Sequence, residues 1–207
     1  MHIPHINFTS EIFTKYPEIF AMILGNTRGK LWLMGGSLVE VILDVMSNPS
    51  RVSTIDYRNF TTDGEFPYRD LDILVEKMLP HMVLASGWEK RVSTFGGVKL
   101  VKKSHLREEP ISIDMWEISK HEPCIRNNRP RTIEQVLDLV PFTTQCLAYD
   151  AMEARLLGEA GKRAVLTKTV AVHNMNEAEN FCRVYKTDIR SALKKIANKY
   201  NFTPIFP

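Results

Sequence analysis

Leu31-Trp32-Leu33-Met34-Gly35-Gly36-Ser37-Leu38-Val39-Glu40 is the stretch on which the fold turns. Its first four residues are a short apolar run that reads as a buried strand. Gly35-Gly36 breaks the run. Ser37, with Glu40 three residues on, has the form of a helix capping box. Leu38, Val41, Ile42, Val45 and Met46 then recur at helical spacing. The unit is strand, Gly-Gly turn, helix. Glycines let a backbone approach a phosphate with no β-carbon in the way. The N-terminus of the following helix offers free N–H groups and a partial positive charge. Gly35, Gly36 and Ser37 are therefore the expected phosphate-binding turn. No P-loop pattern occurs in the chain.

Downstream, Asp70 to Val75 reads as the next strand. Side chains alternate along a strand, so Asp70 and Asp72 share one face and Leu71, Ile73 and Val75 point to the core. Two carboxylates so placed repel each other, and a divalent cation between them removes that penalty. Ile111 to Ile118 is a further strand, carrying Asp114 between the apolar Ile113 and Met115. Three carboxylates on apolar strands after a Gly-Gly-Ser turn point to Mg2+ (or Mn2+), which prefers oxygen ligands and shares them with substrate phosphates. Asp70, Asp72 and Asp114 are the expected metal ligands and catalytic residues, with Asp114 on the acceptor side. The chemistry implied is transfer of a nucleotide.

The remaining pattern fills in around these pieces. A helix is expected over Ser10 to Leu24, interrupted at Pro17, and a long loop from Ser47 to Arg69. A helix is expected over Lys77 to Ser86. Strands over Glu89 to Phe95 and Val98 to Lys103 meet at Gly96-Gly97 as a hairpin. Lys102, beside Lys103 on that hairpin, is the expected triphosphate contact. Thr132 opens a helix to about Val140, and strands are expected over Gln145 to Tyr149 and Arg163 to Val172. One long amphipathic helix is expected over Asn176 to Tyr200. Its apolar stripe runs from Phe181 through Leu193 to Tyr200. Beside it Arg183, Lys186, Arg190 and Lys194 form a basic stripe suited to an RNA backbone or to a solvated face.

With 207 residues, 44% of them apolar, the chain can bury one substantial core. A net charge of +3 tolerates an anionic substrate without demanding nucleic acid. The three cysteines are odd in number and widely spaced, which fits a reducing compartment. No apolar run approaches a membrane span, so a cytoplasmic location without membrane partners is the expectation. No His or Cys spacing suits zinc.

These residues resemble the nucleotidyltransferase superfamily typified by DNA polymerase beta. The closer likeness is to the head domain of tRNA nucleotidyltransferases (CCA-adding enzymes) and bacterial poly(A) polymerases. Leu33 to Leu38 resembles their phosphate-binding turn, and Arg69 to Leu74 their Asp-x-Asp strand. Phe142-Thr143-Thr144-Gln145-Cys146-Leu147-Ala148-Tyr149-Asp150 resembles their Asp-Phe-Thr-Ile-Asn-Ala-Leu-Ala-Tyr-Asp segment. The likeness covers about residues 31 to 172. It departs at Val39-Glu40 and at Val140-Pro141, where the family carries Arg-Asp. It implies an α+β nucleotidyltransferase fold: a mixed twisted sheet flanked by helices, here as a single domain over 1–207 ending in the amphipathic helix. It further implies metal-dependent transfer of a nucleoside monophosphate from a triphosphate such as ATP, with a tRNA-like RNA 3′ end as the favoured acceptor. CCA addition itself, which depends partly on a neck region beyond the matched span, is not carried over. The alternatives are an inactive nucleotide- or RNA-binding module, and a toxin-like or small-molecule nucleotidyltransferase.

Overall fold

The computed structural model describes residues 3, 17–47, 70–93, 96–102 and 111–207. The expected helix cap at Ser10 and the loop over 48–69 lie outside these residues, as does Lys103. In chain order the elements are α1 (Pro17–Gly25), β1 (Thr27–Met34), α2 (Gly35–Ser47), β2 (Asp70–Met78), β3 (Trp88–Val92), β4 (Val98–Lys102), β5 (Ile111–Glu117), α3 (Glu122–Arg126) and α4 (Ile133–Asp138). There follow β6 (Ala148–Asp150), β7 (Arg155–Leu157), α5 (Glu159–Thr167), β8 (Thr169–Val170), α6 (Met175–Tyr185), α7 (Ile189–Tyr200) and β9 (Thr203–Pro204). The architecture is α+β, as expected. A seven-stranded mixed sheet has the order β3-β4-β5-β2-β1-β6-β7, and β8 pairs with β9 in a small second sheet. Among the described residues, only the β2–β5 pair is parallel within the large sheet.

Strand alternation sorts the sheet into two faces. Leu31, Leu33, Leu71, Ile73, Val75, Leu100, Ile113 and Met115 lie on one face, in a core completed by α1, α2 and Val165 of α5. Full burial of a side chain such as Ile73 or Ile113 contributes about 2 kcal/mol. The opposite face carries Trp32 and Leu74, covered by Cys124 of α3 and by Ile133, Val136 and Leu137 of α4. Those two helices are short, 5 and 6 residues. Asp72, Asp114 and Trp116 belong to this second face. A third cluster joins α6 and α7 to Phe142 and Val170 through Ala178, Cys182, Ala192, Leu193 and Ala197.

Four expectations are corrected. Over 77–86 there is no helix: β2 continues to Met78, and the chain beyond is captured by Asn26. The Asn26 amide donates to the Val83 carbonyl and accepts from the Val83 N–H, both at 2.7 Å. Its own carbonyl accepts from Leu79 N. These bonds satisfy the backbone that a helix would otherwise satisfy. The expected strand over 163–172 is the helix α5 followed by the two-residue β8. Gly158 at φ +96° makes the entry turn, and Gly161, Ala164 and Val165 supply the buried face at helical spacing. The expected strand over 145–149 starts only at Ala148, after a 3-10 turn over Thr143–Gln145.

The fourth correction concerns 176–200, which is two helices. Lys186 takes a left-handed conformation (φ +50°) and ends α6, with Thr187 N bonded back to Cys182 O. Asp188 then caps α7 by accepting from Ser191 N at 2.8 Å. Arg183 and Lys186 are thereby separated from Arg190 and Lys194, and the single basic stripe does not exist. Small side chains make most of the buried seam, whereas Val184 and Tyr185 stay about half exposed.

Candidate nucleotide-binding site

Register assembles the carboxylates. In the parallel pair, Asp72 lies directly beside Asp114, and Asp70 beside Ser112. Across the neighbouring strands Asp72 faces Met34, and Asp114 faces Lys99. The row Lys99–Asp114–Asp72–Met34 crosses four strands on one face. Strand partners this close bring like charges into direct opposition, and Lys99 offsets it with an ion pair to Asp114 at 2.9 Å. Asp70 is the first residue of β2, two positions before Asp72. Among the described residues, no group of three or more His, Cys, Asp or Glu is placed to hold a metal ion.

The Gly-Gly turn sits against this row. Gly35 has φ +76°, and a β-carbon built on it would collide with the Asp72 carboxylate. The glycine is therefore required twice, for its backbone and for the acid packed on its Cα. A β-carbon on Gly36 would lie 2.6 Å from the Tyr200 hydroxyl and 2.9 Å from Lys199 Nζ, both from the end of α7. The helix α2 begins at Gly35, so Ser37 lies in its first turn, nearly buried, and is not the cap expected from the sequence. Glu40 does not close a capping box; it pairs with Lys199 at 3.1 Å.

A cleft of about 380 Å³ opens beside Asp72, between the second sheet face and α6. Leu74, Trp116, Gln145, Phe181 and Tyr185 line it. Gln145 Oε1 is the one buried side-chain oxygen or nitrogen without a hydrogen-bond partner among the described residues. A ligand N–H or O–H would satisfy it. Burial pushes the Tyr185 phenol above its usual pKa, and the Asp114 and Asp72 charges push it further, against Lys99. The Tyr200 phenol is raised in the same way, first by burial, with Asp72 and Glu40 adding to it and Lys199 opposing. Both phenols therefore remain protonated donors beside the acids.

On the far wall, Glu177 of α6 is buried and accepts from Arg126 and, at 2.8 Å, from Asn127. This ties α6 to α3. His121 lies in the same wall, and burial holds its pKa at about 4 despite the attraction of Glu177 and Glu122. The ring is neutral at pH 7, with Nδ1 3.3 Å from Cys124 Sγ.

Two expectations fare differently. Lys102 stands three residues along β4 from Lys99, on the opposite face and beside Gly87. It is not brought to the carboxylates. The Phe142–Asp150 segment is mostly architectural: Phe142 is wholly buried, and Asp150 accepts from Trp32 Nε1 and from the N–H groups of Met152 and Glu153. Sequence reasoning missed Lys99, Lys199, Tyr185 and Gln145 as site residues. Only Lys99 left a usable signal, since an antiparallel hairpin running into the Asp114 strand must bring one of its lysines opposite the acid.

Two solved structures share this arrangement of elements. A CCA-adding enzyme in complex with CTP superposes with a TM-score of 0.53 at 16% identity, over 99% of this chain and 44% of its own. A tRNA-processing enzyme with CTP gives 0.50 at 16% identity, over 91% of this chain and 42% of its own. The chain has a nucleotidyltransferase-like fold. It spans less than half the length of those two proteins. No family model matches this chain, and no curated protein matches it in sequence. Among the described residues, no helix is long and apolar enough to cross a membrane.

Proposed function

We propose that this chain transfers a nucleoside monophosphate from a nucleoside triphosphate to an acceptor hydroxyl, with pyrophosphate as the leaving group. The observation that carries the reading is the Asp72–Asp114 pair, side by side in parallel register and packed beneath Gly35. The fold's likeness to two structures solved with CTP supports it. We take residues 31–172 as the working core and the C-terminal helices as part of the same unit.

The donor set suits a hard divalent cation: adjacent carboxylates offering oxygen only. Asp72 and Asp114 would hold Mg2+ or Mn2+, with Asp70 at the strand start as a further ligand. Such an ion, when bound, neutralises charge on phosphate oxygens and acidifies a hydroxyl. The remaining work falls to the protein. Gly35, Gly36 and Ser37 present backbone N–H groups to the phosphate chain. Asp114, on the acceptor side, takes the proton of the attacking hydroxyl. Tyr185 and Gln145 orient what enters the cleft, whose aromatic and aliphatic lining limits water.

An RNA 3′ end is the acceptor we favour, because the fold neighbours act as a CCA-adding enzyme and a tRNA-processing enzyme. The test is incubation with labelled CTP or ATP, Mg2+ or Mn2+, and total RNA. Label in RNA supports the reading. Label in protein or in a small molecule redirects the acceptor, and absence of any transfer contradicts it. A second reading, nucleotide binding without turnover, is favoured by the Lys99 ion pair that already neutralises Asp114. Saturable nucleotide binding with no label transferred selects that second reading.

A further inference from the structure

We infer that Lys199 is a phosphate-binding residue that the C-terminal helix contributes to the Gly35–Ser37 turn. The inference rests on the nucleotidyl-transfer reading and goes beyond the sheet and turn that define it. Neither the spacing of the carboxylates nor the glycine motif points to residue 199, which lies 163 positions from Gly36 along the chain.

The argument starts at Gly36. Its missing β-carbon leaves room for the end of α7, with Lys199 Nζ 2.9 Å and the Tyr200 hydroxyl 2.6 Å from the β-carbon position. An ammonium and a phenol thus sit over the backbone that would receive an anion. The Tyr200 ring lies 5.1 Å from the same ammonium, which orients it.

The present partner of Lys199 is Glu40, one turn into α2, at 3.1 Å. Both side chains are roughly half exposed. Such a surface pair is weak, so a polyphosphate with several charges displaces the single carboxylate readily. Burial draws the Lys199 pKa down, but Tyr200 and Glu40 outweigh it and hold the group above the ordinary lysine value. It is a full cation at any working pH. Other basic groups near the site are committed: Lys99 to Asp114, and Arg126 to Glu177 and Glu122. Among the described residues, Lys199 is the one whose ammonium lies against the turn itself.

The test measures affinity of the full chain for two probes in Mg2+, inorganic tripolyphosphate and a nonhydrolysable CTP analogue. Lys199→Met should weaken both by about tenfold, the loss of one charge-assisted bond to a phosphate oxygen. Lys199→Arg should restore most of the affinity, and the salt dependence of binding should be shallower in the methionine variant. Glu40→Gln, which frees the ammonium, should strengthen both by about threefold. Wild-type affinity in a folded Lys199→Met protein overturns the inference. So does a loss confined to the nucleotide, or weaker binding in Glu40→Gln. If the unaltered protein binds neither probe, the nucleotidyl-transfer reading falls first and the role of Lys199 with it.

Discussion

The sheet side of the site and its helical side are held by different interactions. On the sheet, Asp72 and Asp114 are fixed by the β2–β5 ladder, with Ile73, Ile113 and Met115 wholly buried beneath. A slip of one residue would turn every acid to the core, so their spacing is as firm as the fold. On the helical side, α6 and α7 meet through alanines, one cysteine and Leu193, and Lys186, Thr187 and Asp188 separate them. Their links to the rest of the site are the buried Glu177–Arg126 pair and the exposed Lys199–Glu40 pair. On the proposed function, the chemistry would sit on the sheet side. The helical side would contact ligand, and of its two ion pairs only Lys199–Glu40 is exposed enough to exchange readily.

The largest expected effect follows from the rigid side. Asp72→Asn should reduce nucleotidyl transfer by at least about a hundredfold, the scale for removing a group that stabilises developing charge. Initial rates with labelled triphosphate read it. Transfer that survives the substitution would separate catalysis from the sheet row.

Next is a pH effect on the helical wall. His121 has a pKa of about 4, against 6.5 for the free side chain, because burial disfavours its charged form. Above about pH 6.5 its contribution is fully present. As pH falls, the unfolded chain takes up a proton that the folded chain refuses, so stability is lost progressively from about 6.5 to about 4. The loss attributable to this group reaches about 3 kcal/mol. Denaturant melts across that range should be flatter for His121→Asn than for the unaltered protein. An equal slope would mean that the wall does not exclude water as described.

Gly35→Ala tests the joint between the two sides. The new methyl group meets the Asp72 carboxylate at a positive φ. It should cost about 2 kcal/mol, measured by thermal unfolding, and should weaken Mn2+ binding by displacing the acid. The smallest effect is expected for Lys99→Met. Freed of its counter-ion, Asp114 should bind Mn2+ a few-fold more tightly without nucleotide, roughly the worth of a partly exposed ion pair. Weaker Mn2+ binding would make Lys99 a support of the acid instead of a competitor for it.

The same contrast explains what could be read from the amino acids. The strand–glycine–helix unit is a local pattern, and the Asp70–Val75 and Asp114 strands are local patterns of period two that buried strands preserve. Residues 77–86 have a plausible helical composition, but Asn26, more than fifty positions away, captures their backbone. Residues 163–167 are rich enough in strand formers to hide the helical spacing of Gly161, Ala164 and Val165. The break at Lys186 carries no glycine or proline to announce it. Lys99 stood out from its basic neighbours only once register placed it opposite Asp114, and Lys199 was concealed as one more cation at a helix end.

The account stands or falls on whether Asp72 and Asp114 act as one metal-nucleotide site. The direct measurement is Mn2+ titration by electron paramagnetic resonance, with and without a nonhydrolysable triphosphate, on the unaltered chain, Asp72→Asn and Asp114→Asn. The account predicts saturable Mn2+ binding that the triphosphate strengthens and that either substitution reduces by about tenfold or more, as loss of a charged ligand does. Mn2+ binding that is unaffected by both substitutions, in proteins that remain folded, would contradict it.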